Sequence, residues 1–233
     1  LNSLKLKEMQ VSMKSWRAFR TRPFETVEAH ACLVSRILNN ANFNSFLYLS
    51  SARVYQRCIS GFEDSMLSVN PSEPDDLYNI TKLAGESICL SQARPEIRVA
   101  RLTNVFGYDP GSSNFLSTII TEAISKGSIN LYLHPDSAKD YVSVDDVIKI
   151  IPQIALNGQF RVYNIGCGER ITNREIVTKI SQIVKCKSKM SEDAPKIIFP
   201  EILIDRLRTE FDFKPTSLAN LLPDLVREYQ ERI

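Results

Sequence analysis

The sequence predicts an α/β fold with a mostly parallel sheet. Three observations lead there. Short apolar runs at Phe46-Leu-Tyr-Leu49, Arg98-Val-Ala-Arg-Leu102 and Val162-Tyr-Asn-Ile165 have the length and composition of buried strands. Longer segments of helical period lie between them, so strands and helices alternate. No internal repeat or low-complexity segment interrupts that alternation.

The elements follow in order. Glu25 to Asn40 carries Val27, Ala31, Val34, Ile37 and Leu38 at helical spacing and stops in the run Asn39, Asn40, Asn42. Phe46 to Leu49 is a strand that ends in Ser50-Ser51. Gly61 to Asp76 holds Pro71, Pro74 and many polar residues and reads as loop. Leu77 to Ser91 reads as a helix, with Tyr78 and Lys82 one turn apart. The strand Arg98 to Leu102 runs into Asn104-Val-Phe-Gly107 and a turn at Tyr108-Asp-Pro-Gly111. Phe115 to Ser125 is a helix, and Ile129 to Leu133 alternates weakly as a strand. Tyr141 to Val144 is a strand leading into a helix from near Asp145. Val162 to Ile165 is followed by Gly166-Cys-Gly168. Asn173 to Val184 is a helix, Lys196 to Phe199 a strand, and Leu218 to Arg232 an amphipathic helix with Leu221, Leu222, Leu225 and Tyr229 on one face.

Composition bounds the function classes. The 233 residues suffice for one core with a small satellite lobe. A net charge of +2, from 29 basic and 27 acidic residues, gives no electrostatic case for nucleic acid or a membrane surface. No apolar run approaches the roughly 20 residues of a membrane helix. The five cysteines form no C-x-x-C pair, and with two histidines they give a zinc site little to work with, so no metal is expected. Reduced, mostly buried thiols fit a cytoplasmic protein. Trp16 reads as core, His134 beside Pro135 as a surface loop residue, and Cys167 between two glycines as a buried small side chain.

The chemistry centres on Tyr78-x-x-x-Lys82. Four residues apart, the two side chains share a helix face. An ammonium beside a phenol favours the phenolate, so the lysine is expected to draw the tyrosine pKa down from about 10. A tyrosine so tuned serves as acid or base on a sugar hydroxyl or ketone. Ser51, at the end of a strand, is placed to orient the reacting oxygen.

Five segments extend this pattern. They are Phe46-Leu-Tyr-Leu-Ser-Ser-Ala-Arg-Val-Tyr55, Tyr78-Asn-Ile-Thr-Lys-Leu-Ala-Gly-Glu86, Arg101-Leu-Thr-Asn-Val-Phe-Gly107, Lys139-Asp-Tyr-Val-Ser-Val-Asp-Asp146 and Tyr163-Asn-Ile-Gly-Cys-Gly168. In order and spacing they resemble the extended short-chain dehydrogenase/reductase family, the NAD-dependent sugar epimerases and dehydratases, from roughly Phe24 to Ile233. The resemblance implies a Rossmann-like, mostly parallel, doubly wound sheet, with its first strands missing here, and a small C-terminal α/β substrate lobe. Residues 1–108, with 139–166 returning, correspond to the NAD(P)-binding core. Residues 109–138 and 167–233 correspond to the substrate lobe. By position, Ser51, Tyr78 and Lys82 match the catalytic set. Ser50, Tyr78, Lys82 and Leu102 fall at cofactor positions. Asn104, Asn114, Phe115, Leu131, Tyr132 and Lys139 fall at substrate positions. Asp145 or Asp146 matches an aspartate expected to cap the next helix. The implied cofactor is NAD or NADP, the partner a nucleotide-diphosphate sugar, and the assembly a homodimer through Glu25–Asn40 and Leu77–Ser91. The implied reaction is epimerisation or dehydration, with a reductase or a non-catalytic binding protein as alternatives.

The sequence also departs from the family. None of its eight glycines builds the G-x-x-G-x-x-G turn that seats a dinucleotide pyrophosphate. The 233 residues are therefore expected to be the C-terminal part of a longer chain, the alternative being a shorter paralogue without the cofactor. Gln56 stands at a usual glycine, His30 at a position where many members have an asparagine near the cofactor, and Lys139 at a frequent arginine. Leu133 and Pro135 replace typical glycines, and the later phosphate-binding arginine has no counterpart between Met190 and Ile204.

Overall fold

The computed structural model describes residues 21–232; Trp16 lies outside them. Its centre is a three-stranded parallel sheet of β1 (Phe46–Ser51), β2 (Ile97–Leu102) and β6 (Val162–Ile165), in the order β1-β2-β6. Ser51 pairs with Leu102, and Leu102 with Ile165, so the three strands end level. The chain leaves all three at that one carboxyl edge, where open α/β sheets take their ligands.

Strand β2 explains why the sheet is central. Ile97, Val99 and Ala100 are fully buried, as a strand covered on both faces requires. One face packs Ala100, Val142, Ile150, Ile154 and Ile165 into a cluster with α5 (Val144–Asn157). The other packs Val34, Tyr48, Cys89 and Val99 beneath α2 (Leu33–Asn40) and α3 (Asp76–Leu90). Two arginines in β2 are buried because each has partners. Arg98 Nε donates to the Gly158 carbonyl at 2.7 Å and its Nη1 to Ala155 at 3.0 Å, closing the C-terminus of α5. Arg101 pairs with Glu86.

The predicted first helix is built in three pieces: α1 (Pro23–Val27), a π turn (Glu28–Cys32) and α2. Beyond Thr103, β3 (Asn104–Phe106) pairs in parallel with β5 (Ala138–Ser143), which pairs antiparallel with β7 (Arg170–Thr172). A second lobe packs Ile119, Ile120, Ile129, Ile176, Ile180, Leu222 and Tyr229 in one cluster. It is made by α4 (Phe115–Lys126), β4 (Ser128–Leu131), α6 (Asn173–Val184), β8 (Lys187–Met190) and α8 (Leu218–Arg232). Gly127 ends α4 in the left-handed region at φ 63°, where a side chain is strained.

Several expectations change. Lys196–Phe199 is no strand; only Ile198 bridges Ala138, and β4 pairs instead with β8. Strand β8 reads Lys-Ser-Lys-Met and is mostly exposed, so it carries no apolar alternation to read. Strands β3 and β7 and helix α7 (Asp205–Phe211) are too short to show a period. The cap of α5 is Ser143, whose Oγ accepts the Asp146 N–H at 3.0 Å. Asp146 instead accepts the Thr216 N–H at 3.0 Å, so the expected aspartate cap ties the first turn of α5 to the segment before α8. His134 lies in a loop, as expected, and is partly buried there, with Nδ1 accepting the Asp136 N–H at 3.1 Å. Cys167 is buried, as expected.

Candidate active site

The end of β1 and the first turns of α3 build the site. Ser51 leaves the strand extended, and its Oγ accepts the Arg53 N–H at 3.2 Å, starting the 3-10 turn Ala52–Tyr55. The Ser51 side chain also acts on the half-buried Tyr78 phenol, whose pKa it draws down. Lys82, one turn on from Tyr78, sends its Nζ to the Leu49 carbonyl at 2.9 Å. That ammonium lies 5.9 Å from the Tyr78 ring centroid and 5.3 Å from that of Tyr48. The three residues read from sequence as one set thus lie together where β1 ends and α3 begins.

The electrostatics differ from the expectation. Burial holds the Tyr78 phenol above its ordinary value, while the Ser51 hydrogen bond and the Arg53 charge draw it down. Lys82 does not lead that lowering, because its ammonium is drawn to the Leu49 carbonyl. Burial pushes Lys82 itself down to about 8 against the pull of Glu86. Arg53, whose guanidinium carbon is 5.8 Å from the Tyr78 ring centroid, was given no role by the sequence pattern. Its position two residues after Ser51 was the available signal.

The other positions divide. Ser50 is buried and donates to Glu86 Oε1, so its side chain faces the interior and not the cofactor side. Leu102 is half-buried at the carboxyl edge beside Ser51. Asn104 Nδ2 donates to the Asp140 carbonyl at 2.8 Å, leaving its Oδ1 exposed. Asn114 caps α4, with Oδ1 accepting the Ser117 N–H at 2.9 Å, and Phe115 packs against the second lobe's core. Leu131 is buried in that core, so its side chain is structural, while Tyr132 beside it is 82% exposed. Lys139 is held below the usual lysine value by burial and by the Arg53 charge. A cation so placed favours an anionic ligand.

The phenol of Tyr78, the hydroxyl of Ser51 and the ammonium of Lys82 fit the ribose and ring of a nicotinamide, as donors at the rim of an outer strand where Leu49 is 43% exposed. Among the described residues no glycine-rich turn accompanies them to cradle a pyrophosphate. None of their helices is long and apolar enough to cross a membrane.

Residues 11–166, more than half of the chain, match the NAD dependent epimerase/dehydratase family. Over 137 residues the chain is 27% identical to a dTDP-glucose 4,6-dehydratase of Streptomyces griseus, covering 57% of this chain and 41% of that protein. Over 164 residues it is 26% identical to the GDP-6-deoxy-D-mannose reductase of Pseudomonas aeruginosa, covering 66% and 53%. The chain thus spans about half the length of the curated relatives it matches. Its fold resembles the solved structure of RMD from Pseudomonas aeruginosa complexed with NADPH, with a TM-score of 0.77 at 20% identity over 94% of this chain and 79% of that one. The chain belongs to the NAD-dependent epimerase/dehydratase family, the extended short-chain dehydrogenases/reductases of Rossmann fold that work with NAD or NADP.

Proposed function

We propose that the protein acts on a nucleotide-diphosphate sugar as an epimerase or dehydratase, with Tyr78 as proton donor and acceptor. The observation that carries this reading is the grouping at the carboxyl edge: Ser51 ends β1, Lys82 Nζ reaches the Leu49 carbonyl at 2.9 Å, and the Lys82 and Arg53 cations lie 5.9 and 5.8 Å from the Tyr78 ring centroid. When bound there, the nicotinamide supplies the acceptor and donor of hydride. The chain's own residues handle the proton. Ser51 orients the sugar oxygen against Tyr78. A phenol held protonated by burial is ready to give its proton to a ketone oxygen, and the positive charge of Arg53 stabilises the phenolate left behind. Run backwards, the same phenolate takes the proton from a sugar hydroxyl.

Lys82 and Leu102 are assigned to the cofactor side, with Ser50 contributing at most its backbone. Asn104, Lys139 and Tyr132 are assigned to the nucleotide sugar, Lys139 through its charge towards the phosphates. Asn114 and Phe115 set the lobe wall. Residues 1–108 and 139–166 are assigned to the dinucleotide core, and residues 109–138 and 167–233 to the substrate lobe. The separate apolar cluster of the second lobe supports that division. A homodimer through α1, α2 and α3 is proposed on the exposed apolar side chains Phe24, Val27 and Leu33.

A reductase is the second reading, favoured by the longer match to the Pseudomonas aeruginosa reductase. Incubating the protein with NAD or NADPH and a panel of UDP-, dTDP- and GDP-hexoses, followed by mass spectrometry, separates these. An isomer at constant mass marks an epimerase, loss of water a dehydratase, and stoichiometric cofactor oxidation a reductase. No conversion of any sugar by protein that binds the dinucleotide would sink the enzyme reading.

A further inference from the structure

His30 is a buried histidine that the proton chemistry above leaves unused. It is the buried residue of the π turn Glu28–Cys32, one wide turn in an otherwise α-helical run. Such turns recur at functional sites because they redirect a side chain without ending the helix. Here the redirected ring meets α3. Nδ1 lies 2.9 Å from Thr81 Oγ1, and the imidazole stands edge-on to the Tyr78 ring, with centroids 5.3 Å apart and planes at 90°.

The backbone of the turn is fixed as well. The His30 carbonyl accepts the Tyr48 hydroxyl at 3.2 Å. Gly85 lets α3 come close: a Cβ there would stand 2.4 Å from the His30 carbonyl oxygen and 2.5 Å from the Tyr48 hydroxyl. A histidine held only as core filling needs neither this approach nor a ring contact on the phenol.

The hydrogen bonds favour one tautomer. The Thr81 hydroxyl has one proton, and it donates that to the Tyr78 carbonyl at 3.0 Å. In that arrangement it offers His30 a lone pair, which the imidazole meets by donating from Nδ1. Burial and the Lys82 charge hold the imidazole down to about 4, so it is neutral at ordinary pH. The path from the Tyr78 carbonyl through Thr81 to His30 returns to the Tyr78 ring, enclosing that residue on two sides.

We propose that His30 is a positioning residue for Tyr78: a neutral imidazole, protonated on Nδ1, that sets the direction of the phenol through edge-on ring contact and through Thr81. The proposal rests on Tyr78 being the acid–base, yet its test needs no turnover.

The test uses the full chain, without substrate or cofactor, labelled with 15N-histidine and 13Cζ-tyrosine. With only two histidines, His134→Gln assigns the spectrum, and Tyr78→Phe identifies the Tyr78 signal among the eight tyrosines. The expected result is a neutral Nδ1–H tautomer for His30, which reverts to Nε2–H in Thr81→Val. His30→Leu is expected to shift or broaden the Tyr78 signal and leave those of Tyr163 and Tyr229 in place; His30→Asn, which restores a donor to Thr81 without the ring, is expected to rescue it in part. An Nε2–H tautomer in the unaltered chain would overturn the proposal. So would an unmoved Tyr78 signal in a His30→Leu chain that has merely lost stability. If His30→Leu does not fold, Thr81→Val decides: a moved Tyr78 signal supports the proposal and an unmoved one overturns it. Because these signals are read without substrate, a protein that converts no sugar can still pass or fail here.

Discussion

Arg101 and Glu86 form a buried ion pair, with 2.7 Å between Nη2 and Oε2, that ties β2 to α3 one turn beyond Lys82. Ser50 donates to the same carboxylate, and Tyr55 takes a 2.6 Å hydrogen bond from Arg101 Nη1. Glu86 thus joins the helix that carries Tyr78 to β2 through Arg101 and, through Ser50, to the strand that ends in Ser51. Glu86→Ala should cost about 3–5 kcal/mol, because it strands a buried guanidinium. The double variant Glu86→Met, Arg101→Met should recover most of that loss. Urea denaturation measures both, and a single-variant loss below about 1 kcal/mol would show that water reaches the pair.

Tyr78→Phe removes the phenol proton but keeps the ring that His30 touches. Turnover should fall about 10²–10⁴-fold, with dinucleotide affinity and stability nearly unchanged. Steady-state assays with the sugar identified by mass spectrometry read the first, and fluorescence titration the second. Ser51→Ala should fall in the same range. Activity within about twofold of the unaltered chain in Tyr78→Phe would remove Tyr78 from the chemistry.

Gly85→Ala introduces a Cβ where two oxygens already stand within 2.5 Å. One of them is backbone, so the helices must part. The expected loss is about 1–3 kcal/mol, typical of overpacking. Denaturant midpoints check it, and a neutral result would mean the π turn moves freely against α3.

Asp140 and His30 should give opposite pH dependences of stability. Burial lifts Asp140 from 3.8 to about 6, against hydrogen bonds from the Cys167 and Gly168 N–H groups. Between those values the folded chain holds a proton that the unfolded chain has lost, so this contribution grows as pH falls. His30 is lowered from 6.5 to about 4, chiefly by burial, so there the unfolded chain holds the extra proton and stability falls with pH. Each contribution is about 3 kcal/mol by linkage, and together they nearly cancel between pH 6.5 and 4. Asp140→Asn should unmask the histidine: its stability should drop by about 3 kcal/mol over that interval, relative to the unaltered chain. Parallel stability profiles for the two chains would contradict the assignment.

Much of the candidate site's framework was legible because its spacing is local. Tyr78 and Lys82 share a helix face whatever the rest of the chain does, and Ser51 ends an apolar run that only a buried strand suits. The substrate positions were less legible. Leu131 was read as a ligand contact, but alternation along β4 turns its side chain into the second lobe's core while Tyr132 points out. Asn104 lay on a strand of three residues whose partner, β5, begins more than thirty residues later.

The sequence by itself determined the alternating α/β plan, the long helices and the order of the segments that carry Ser51, Tyr78 and Lys82. Periodicity and residue order act over a few neighbouring residues, and these features need no more. The tertiary structure alone decided that Ser50 faces Glu86, that Arg53 lies by the Tyr78 ring, and that His30 meets Thr81 from 51 residues away. Such contacts depend on where distant elements come to rest, which is set by how closely their backbones pack, and no local pattern encodes that distance.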